Sequence, residues 1–155
     1  MPLKVVLAYI SQRSQEDGSA KPMHQLGRLY IDRVAEHFSP IELLAFRSEE
    51  AFLEKYERQR SRTPPIFVLL DSRGKQFSSE QFAEWLGKQR DQGQQLIVFA
   101  IGPADGWSEA TRKRANLLLS LGPMTLPHEL ARVLLSEQIY RAFTILSGHP
   151  YHTGH

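Results

Sequence analysis

The chain has 155 residues, of which 41% are hydrophobic and 23% are charged, with a formal net charge of +2. This length predicts one domain over residues 1–155 with a core of ordinary size. The absence of cysteine excludes disulfides and thiolate chemistry and fits a reducing compartment. No apolar run approaches the roughly 20 residues that span a bilayer, and the first residues lack a secretory pattern, so we expect a cytoplasmic protein with no membrane partner.

The net charge is too small to argue for nucleic acid binding by the whole surface. Two local basic clusters are each compatible with a solvated helix face or with an RNA contact: Arg58, Arg60 and Arg62, and Arg112, Lys113 and Arg114. The six histidines lack acidic or cysteine neighbours at a ligand spacing. We therefore expect no metal site, even at the cluster of His149, His152 and His155.

The first half of the chain alternates strand and helix patterns. Apolar, β-branched runs predict strands at residues 4–10, 41–46 and 66–70. Between them, apolar residues at three- and four-residue spacing predict helices over residues 22–38 and 48–59.

The second half continues the alternation. It predicts strands at residues 96–101 and 117–120 and helices over residues 79–92 and 108–115, followed by a long helix that ends at Gly148. Strands and helices alternating at this pitch predict an α/β domain with a mainly parallel sheet flanked by helices.

The long last helix has two distinct faces in the sequence. Pro127 fits its first turn, and Thr125 is the expected cap. One face is expected to be core and carries Leu130, Leu134, Leu135, Ile139, Ala142, Phe143 and Leu146. The other stripe carries His128, Arg132, Ser136 and Tyr140, and a helix that only packs has no need of such a set.

Three loops follow the three most apolar strands, at residues 70–75, 102–106 and 121–126. In open α/β sheets, ligands bind where the chain leaves the carboxyl ends of neighbouring strands. None of the loops has a phosphate-binding glycine motif, which disfavours nucleoside triphosphates and dinucleotides. Bare backbone N–H and C=O groups suit an adenine edge and a ribose, and S-adenosylmethionine has both and no phosphate.

The run MTLPHELARVLLSEQIYRAFTILSGHPYH, residues 124–152, carries the motifs T-[LF]-P-H, R-V, E-x-x-Y-R-A and a closing Y-H. It resembles the C-terminal signature of the SPOUT methyltransferases that methylate N3 of a pseudouridine in large-subunit ribosomal RNA. The stretches LLDSRGKQFSSE and VFAIGPADG occur upstream in the order that the family shows. The resemblance covers residues 66–152, whereas residues 1–65 match in layout only.

The resemblance implies a deep trefoil knot, S-adenosylmethionine as cofactor, a homodimer, and the assembled ribosome as the partner that presents the RNA. Cofactor contacts then fall on Leu70, Gly102, Leu121, Gly122, Pro123, Met124, Thr125 and Leu126. Substrate contacts fall on His128 and Arg132, and catalytic roles on Arg141, Tyr151 and His152. Our hypothesis is that Arg141 stabilises the anion of the target base, that His152 or a water it holds accepts the proton, and that Tyr151 contacts the base.

One departure from the family pattern keeps alternatives open. Pro103 stands where the family has a second glycine, so one backbone donor is lost. A non-catalytic ribosome- or RNA-binding module that lost cofactor affinity is one alternative, and a SPOUT methyltransferase acting on transfer RNA is another. A third is an unknotted, flavodoxin-like α/β binding protein.

Overall fold

The computed structural model describes residues 3–11, 21–57 and 63–153. Within these ranges the strands are β1 (Lys4–Ile10), β2 (Ile41–Phe46), β3 (Ile66–Gln76), β4 (Leu96–Ile101) and β5 (Leu117–Ser120). The helices are α1 (Lys21–His37), α2 (Glu49–Glu57), α3 (Ser79–Asp91), α4 (Glu109–Arg114) and α5 (His128–Ser147). The strands form one parallel sheet in the order β2-β1-β4-β3-β5, which confirms the predicted fold class.

The sheet is buried on both faces, as the near-continuous apolar strands predict. On β1, Val5 and Leu7 point into a core shared with α1, α3 and α5, whereas Val6 and Ala8 point into a second core that contains Phe52 of α2. Strand residues alternate between faces, so one strand supplies both cores. The sheet therefore lies between two layers of helices.

Helix α5 packs against both α1 and α3, so nearly all of its faces are covered. The stripe that the sequence sets opposite to the core is itself buried, with Arg132 6%, Ser136 1% and Tyr140 8% exposed. Leu134, predicted to be core, is instead 38% exposed. A helix between two neighbours has no single outward face, and the helical period alone does not reveal this.

The ends of α5 are set by its flanking residues. Pro127 rather than Thr125 holds the N-cap position, and it makes no side-chain cap hydrogen bond. Gly148 ends the helix in the left-handed region with φ 74°, as predicted for a glycine at this place.

Strand β3 continues six residues beyond its predicted end at Leu70. Leu70 and Lys75 both pair with Leu119 of β5, so residues 71–74 leave the pairing register between them. Gly74 lies so close to β5 that an added Cβ would come within 2.5 Å of the Leu118 carbonyl oxygen. The predicted exit loop is thus an irregular, bulged segment within β3. It ends at Gly74, which has no room for a side chain.

The two basic clusters have different outcomes. Arg112 forms ion pairs with Asp71 and Glu109, and Arg114 forms one with Glu57, so both side chains take part in intramolecular ion pairs. Arg58, Arg60 and Arg62 lie outside the described residues. Among the helices that the structure describes, none combines the length and the apolar character needed to cross a membrane.

Candidate cofactor cavity and tail cluster

A cavity of about 400 Å³ opens at the carboxyl ends of β4 and β5 and beside residues 70–72 of β3. Its wall includes all of the predicted cofactor residues except Pro123: Leu70, Gly102, Leu121, Gly122, Met124, Thr125 and Leu126. Leu70 comes from β3, Gly102 follows β4, and the last five residues form the connection from β5 to α5. The parallel sheet brings these three segments to one edge, as the chain order predicts.

Two residues that line the cavity each carry a buried polar atom without a hydrogen-bond partner among the described residues: Nε1 of Trp107 and Nε2 of His128. Tyr56, which is outside the cavity wall, carries a third such atom, its hydroxyl oxygen. Buried polar groups in folded proteins nearly always have a partner, so the first two atoms are candidates for contact with a ligand of the cavity. The indole N–H can only donate, whereas a neutral imidazole nitrogen can accept.

His128 also explains part of the electrostatics of the cavity. Burial, and after it the nearby charge of Arg132, lowers the pKa of His128 below its ordinary value, against the smaller opposing effects of Glu129 and a hydrogen bond with the Ile10 backbone. The imidazole is therefore neutral near pH 7 and keeps a lone pair. The resemblance assigns His128 to the substrate, and the structure places it in the wall of the cavity.

Arg132 lies behind that wall rather than in it. Its guanidinium stacks over the Tyr9 ring at 4.0 Å, and no ion pair of Arg132 occurs within the described ranges. The ring of Tyr9 also meets His128 edge-on at 6.1 Å. The two predicted substrate residues thus meet around one aromatic ring at the end of β1.

Asp71 is the carboxylate of the cavity wall. It accepts hydrogen bonds from the Arg73 backbone N–H at 2.8 Å and from Nε of Arg112 at 2.7 Å. Burial alone would raise the pKa of Asp71, but these two donors together lower it below the ordinary value. Asp71 is therefore ionised, with its negative charge balanced by Arg112, and is poorly suited to act as a proton donor.

The three predicted catalytic residues, Arg141, Tyr151 and His152, form one connected cluster with Glu80 and Glu137. We call these five residues the tail cluster. Arg141 donates to Oε1 of Glu137 from Nε at 2.8 Å and from Nη2 at 2.7 Å, and its Nη1 lies 2.9 Å from Nδ1 of His152. Tyr151 donates to the same Glu137 oxygen at 3.1 Å, and Nε2 of His152 lies 2.7 Å from Oε1 of Glu80.

These contacts assign the tautomer of His152. A guanidinium has no acceptor, so Nδ1 must accept from Arg141, and the proton then lies on Nε2 and is donated to Glu80. Both ring nitrogens are occupied in this state. His152 can accept a proton at Nδ1 only after Arg141 leaves it.

Glu137 is the centre of the tail cluster. Burial and, after it, the neighbouring Glu137 carboxylate together raise the pKa of Tyr151 to about 12. Desolvation alone would lower the pKa of Arg141, but its bonds to Glu137 raise it instead. Arg141 thus stays positively charged, and Tyr151 stays protonated, throughout the neutral pH range.

The structure separates the predicted site into two groups. His128 begins α5 at the cavity, and Arg141 lies 13 residues later along the same helix. At about 1.5 Å per residue, Arg141 lies about 20 Å along the helix axis from His128 within one chain. A second cavity of about 230 Å³ shares Leu121 and Gly122 with the first and is lined also by Gln138, which donates to Glu137 at 3.0 Å.

The sequence missed several residues of the site. Asp71 lies in one of the loops that were singled out, and Trp107 directly follows another. An aromatic ring directly after a glycine turn was the available signal for Trp107. Glu80 is 72 positions from His152, so their contact leaves no trace in local spacing. Across the described ranges, no group of three or more side chains is arranged to hold a metal ion, and His155 lies outside those ranges.

Comparison with known proteins places this geometry in a family. A family model described as "Predicted SPOUT methyltransferase" matches residues 14–152. The chain is 55% identical over 126 residues to "Ribosomal RNA large subunit methyltransferase H" of Koribacter versatilis, a match that covers 81% of this chain and 85% of the relative. It is 40% identical over 146 residues to the protein of the same name from Brucella anthropi, covering 86% and 91% of the two chains.

Among solved structures, the SpoU methyltransferase AviRb from Streptomyces viridochromogenes, in complex with AdoMet, aligns with a TM-score of 0.49 and 14% identity. That alignment covers 90% of this chain and 57% of the other. The likeness is weak beside the family match, which spans most of the chain. The chain belongs to the SPOUT methyltransferase family.

Proposed function

We propose that this protein is an S-adenosylmethionine-dependent methyltransferase that methylates N3 of a pseudouridine in large-subunit ribosomal RNA. The observation that carries the proposal is the cavity beside β3, β4 and β5, whose wall contains seven of the eight predicted cofactor residues and two residues with an unpartnered buried polar atom among the described residues. Membership of the SPOUT methyltransferase family supports methyl transfer. The names of the two relatives support ribosomal RNA as the substrate, and the C-terminal motifs support the pseudouridine.

The residues of the cavity fit the proposed cofactor. Apolar side chains of Leu70, Leu121 and Leu126 suit the faces of an adenine ring, and the wall offers one orphaned donor and one orphaned acceptor for its polar edge or for a ribose. Gly122 has φ 132° and open space where a Cβ would be, so the backbone can approach a ligand closely. When bound, S-adenosylmethionine supplies an electrophilic methyl group.

The tail cluster supplies groups for the other half of the reaction. A ring N–H must lose its proton before the nitrogen can attack, and a fixed cation lowers the free energy of the resulting anion. We propose that Arg141 turns from Nδ1 of His152 toward the target base, which frees that nitrogen to accept the proton directly or through a water. Tyr151 contacts the base, and Glu137 positions Arg141 and Tyr151 by the hydrogen bonds already described.

The separation of about 20 Å along α5 between His128 in the cavity wall and Arg141 in the tail cluster favours a homodimer in which each chain completes the other's site. Three exposed leucines support a helical interface: Leu26 and Leu29 on α1 are 43% and 45% exposed, and Leu134 on the adjacent α5 is 38% exposed. We propose that the tail cluster of one subunit faces the cavity of its partner.

The small net charge supports a target that is recognised by shape. We propose that the assembled ribosome, rather than free RNA, presents the nucleotide, because a net charge of +2 provides little non-specific attraction. We further propose that residues 1–155 form a single domain and that the protein acts in the cytoplasm, where its proposed substrate is.

The test has two stages. Calorimetry with S-adenosylmethionine should show binding to the purified protein. Ribosomes from cells lacking the protein should then be incubated with the protein and S-adenosylmethionine, and mass spectrometry of their large-subunit RNA should show a gain of one methyl group on a pseudouridine. Binding without methylation of ribosomal RNA, but with methylation of transfer RNA, would support the transfer RNA alternative. No heat at millimolar cofactor would support the non-catalytic module in which Pro103 has cost the cavity its affinity.

Removal of the proposed cation gives a sharper test. We expect Arg141→Ala to slow single-turnover methylation by about a hundredfold at saturating ribosomes, because the anion of the base loses its stabilising charge. Cofactor affinity should stay at the wild-type value, since Arg141 is not among the residues that line the cavity. Arg90→Ala, at an exposed ion pair on α3, is the matched control. Near-normal turnover of Arg141→Ala would contradict the role.

A further inference from the structure

Trp107 is a buried residue of the cavity wall whose N–H the proposed function counts as a donor without naming its acceptor. It is 8% exposed and directly follows the loop after β4. A Cβ on Gly102 would lie 2.8 to 2.9 Å from three atoms of the indole, so this glycine lets the ring pack flat against the backbone. On α2, Phe52 packs against the same ring at 5.5 Å. The position of the indole is therefore fixed by its neighbours.

The N–H of this indole is a buried donor with no acceptor in the part of the chain that the structure describes. An indole N–H cannot act as an acceptor, so only an incoming acceptor can satisfy it. Leaving such a donor unsatisfied is costly, and wild-type folds rarely do so without a reason. Trp107 also lines the cavity, so an acceptor on a ligand that enters there lies beside the indole ring.

Two backbone donors of the loop around Trp107 are engaged within the protein, and a third is lacking. Pro103 has no N–H, the N–H of Gly106 donates to the Pro103 carbonyl at 2.8 Å, and the N–H of Ser108 donates to Oε1 of Glu49 at 2.7 Å. A side-chain donor at this point adds to the backbone N–H groups that remain. Trp107 is the residue of the loop that combines burial, a fixed ring and a free N–H.

We propose that the indole N–H of Trp107 donates a hydrogen bond to the adenosyl moiety of the bound cofactor. The inference rests on the proposed function, because it takes S-adenosylmethionine as the ligand of this cavity. Adenine ring nitrogens and ribose oxygens are the acceptors of that moiety. Trp107 is then a binding residue, which helps to offset the loss of a donor at Pro103.

The experiment uses the two tryptophans of the chain as probe and internal control. In ¹⁵N-labelled full-length protein, each gives one indole N–H signal, and a Trp107→Phe variant assigns them. On titration with S-adenosylhomocysteine, the Trp107 indole proton should move downfield and exchange more slowly with solvent. The indole signal of Trp85, which lies on α3 in the other core, should stay in place.

Calorimetry gives a second readout. We expect Trp107→Phe, which keeps a ring and removes the N–H, to bind S-adenosylhomocysteine about tenfold more weakly. Trp85→Phe makes the same chemical change away from the cavity and should bind like the wild type. Methylthioadenosine, which lacks the amino-acid end, should produce the same indole shift as S-adenosylhomocysteine.

Each adverse result has a distinct meaning. If S-adenosylhomocysteine binds and shifts backbone signals of the cavity while the Trp107 indole signal stays unchanged, the inference is overturned and the proposed function stands. An indole shift with S-adenosylhomocysteine but none with bound methylthioadenosine overturns the assignment to the adenosyl moiety. Absence of any binding overturns both proposals. Should Trp107→Phe fail to fold, the wild-type spectra decide alone, with the Trp85→Phe spectrum assigning the signals.

Discussion

His128 connects the stability of the protein to pH through its place in the cavity wall. Its pKa is lowered in the folded state, chiefly by burial, so the unfolded chain binds a proton more readily than the folded one as the pH falls below about 6.5. The stabilisation is complete above that pH and is lost progressively below it. The side chain thus favours the folded state most when it is neutral.

As the pH falls from about 7.5 to about 5, we expect the free energy of unfolding of the wild type to decrease relative to that of His128→Gln. Urea titrations at several pH values measure this difference, because the variant cannot take up the proton. His37→Gln, at an exposed site on α1, controls for the removal of one histidine. A difference that stays constant over this range would contradict the buried, neutral state of His128.

The sequence indicated the residue types of the site better than their partners. The loops carrying Leu70, Gly102 and Leu121 could be located because each follows an apolar strand, and the sheet then brings them together. The orphaned atoms of Trp107 and His128 could not be predicted, since an unsatisfied donor or acceptor is a property of the packed interior. These residue roles stay predictions until ligand binding is measured.

Strand β3 and helix α5 show where element patterns succeed and where they fail. The strands β1, β2, β4 and β5 have the bounds that their apolar runs predict. The polar end of β3 was predicted to be a loop because its side chains are not apolar, yet it pairs with β5 through backbone hydrogen bonds. The burial of nearly all faces of α5 likewise depends on α1 and α3. The spacing of apolar residues along α5 does not reveal where these two helices pack.

Gly74 gives a test of this strand pairing. We expect Gly74→Ala to lower the free energy of unfolding by about 2 kcal/mol or more, because the new Cβ would lie 2.5 Å from the Leu118 oxygen and 2.8 Å from the Leu119 nitrogen, and backbone cannot move aside cheaply. Cofactor affinity should fall as well, since β5 leads directly into residues 121–126. Urea unfolding and calorimetry measure the two effects.

Gly27→Ala is the matched control for that substitution. Gly27 lies within helix α1, and an added Cβ would be 3.7 Å from Oγ of Ser136, which is an ordinary contact distance. The change should be neutral or stabilise the protein by about 0.5–1 kcal/mol. Equal destabilisation by both substitutions would argue that added volume in general, rather than the close approach of β5, causes the effect.

At the scale of the whole molecule, shared sites predict that two inactive variants can complement each other. Arg141→Ala retains the cavity, and Gly122→Val, which places a β-branched residue at φ 132°, retains the tail cluster. If sites are shared between subunits, a mixed dimer has one intact site. Mixing and refolding the two variants in equal amounts should restore about a quarter of the wild-type methylation rate. Activity no higher than that of either variant alone would indicate a site built within one chain.

The trefoil knot stays a prediction that the family relationship supports. Composition and periodicity cannot reveal it, because knotting depends on the order in which the chain passes through its own loops, and such topologies are rare. The parallel sheet, in contrast, followed from the alternation of elements. Local patterns therefore predict the layers of this molecule, and the path of the chain through them requires the structure or a relative.

The strand order has a consequence for self-association. It leaves β2 and β5 at the margins of the sheet, and β5 is only four residues long. A short marginal strand offers few unpaired peptide groups to another molecule, which protects against amyloid-like growth. Exposed Glu42 on β2, held by Lys4 of β1, places a charge at the opposite margin. Both margins of the sheet are therefore poor templates for an extended intermolecular sheet.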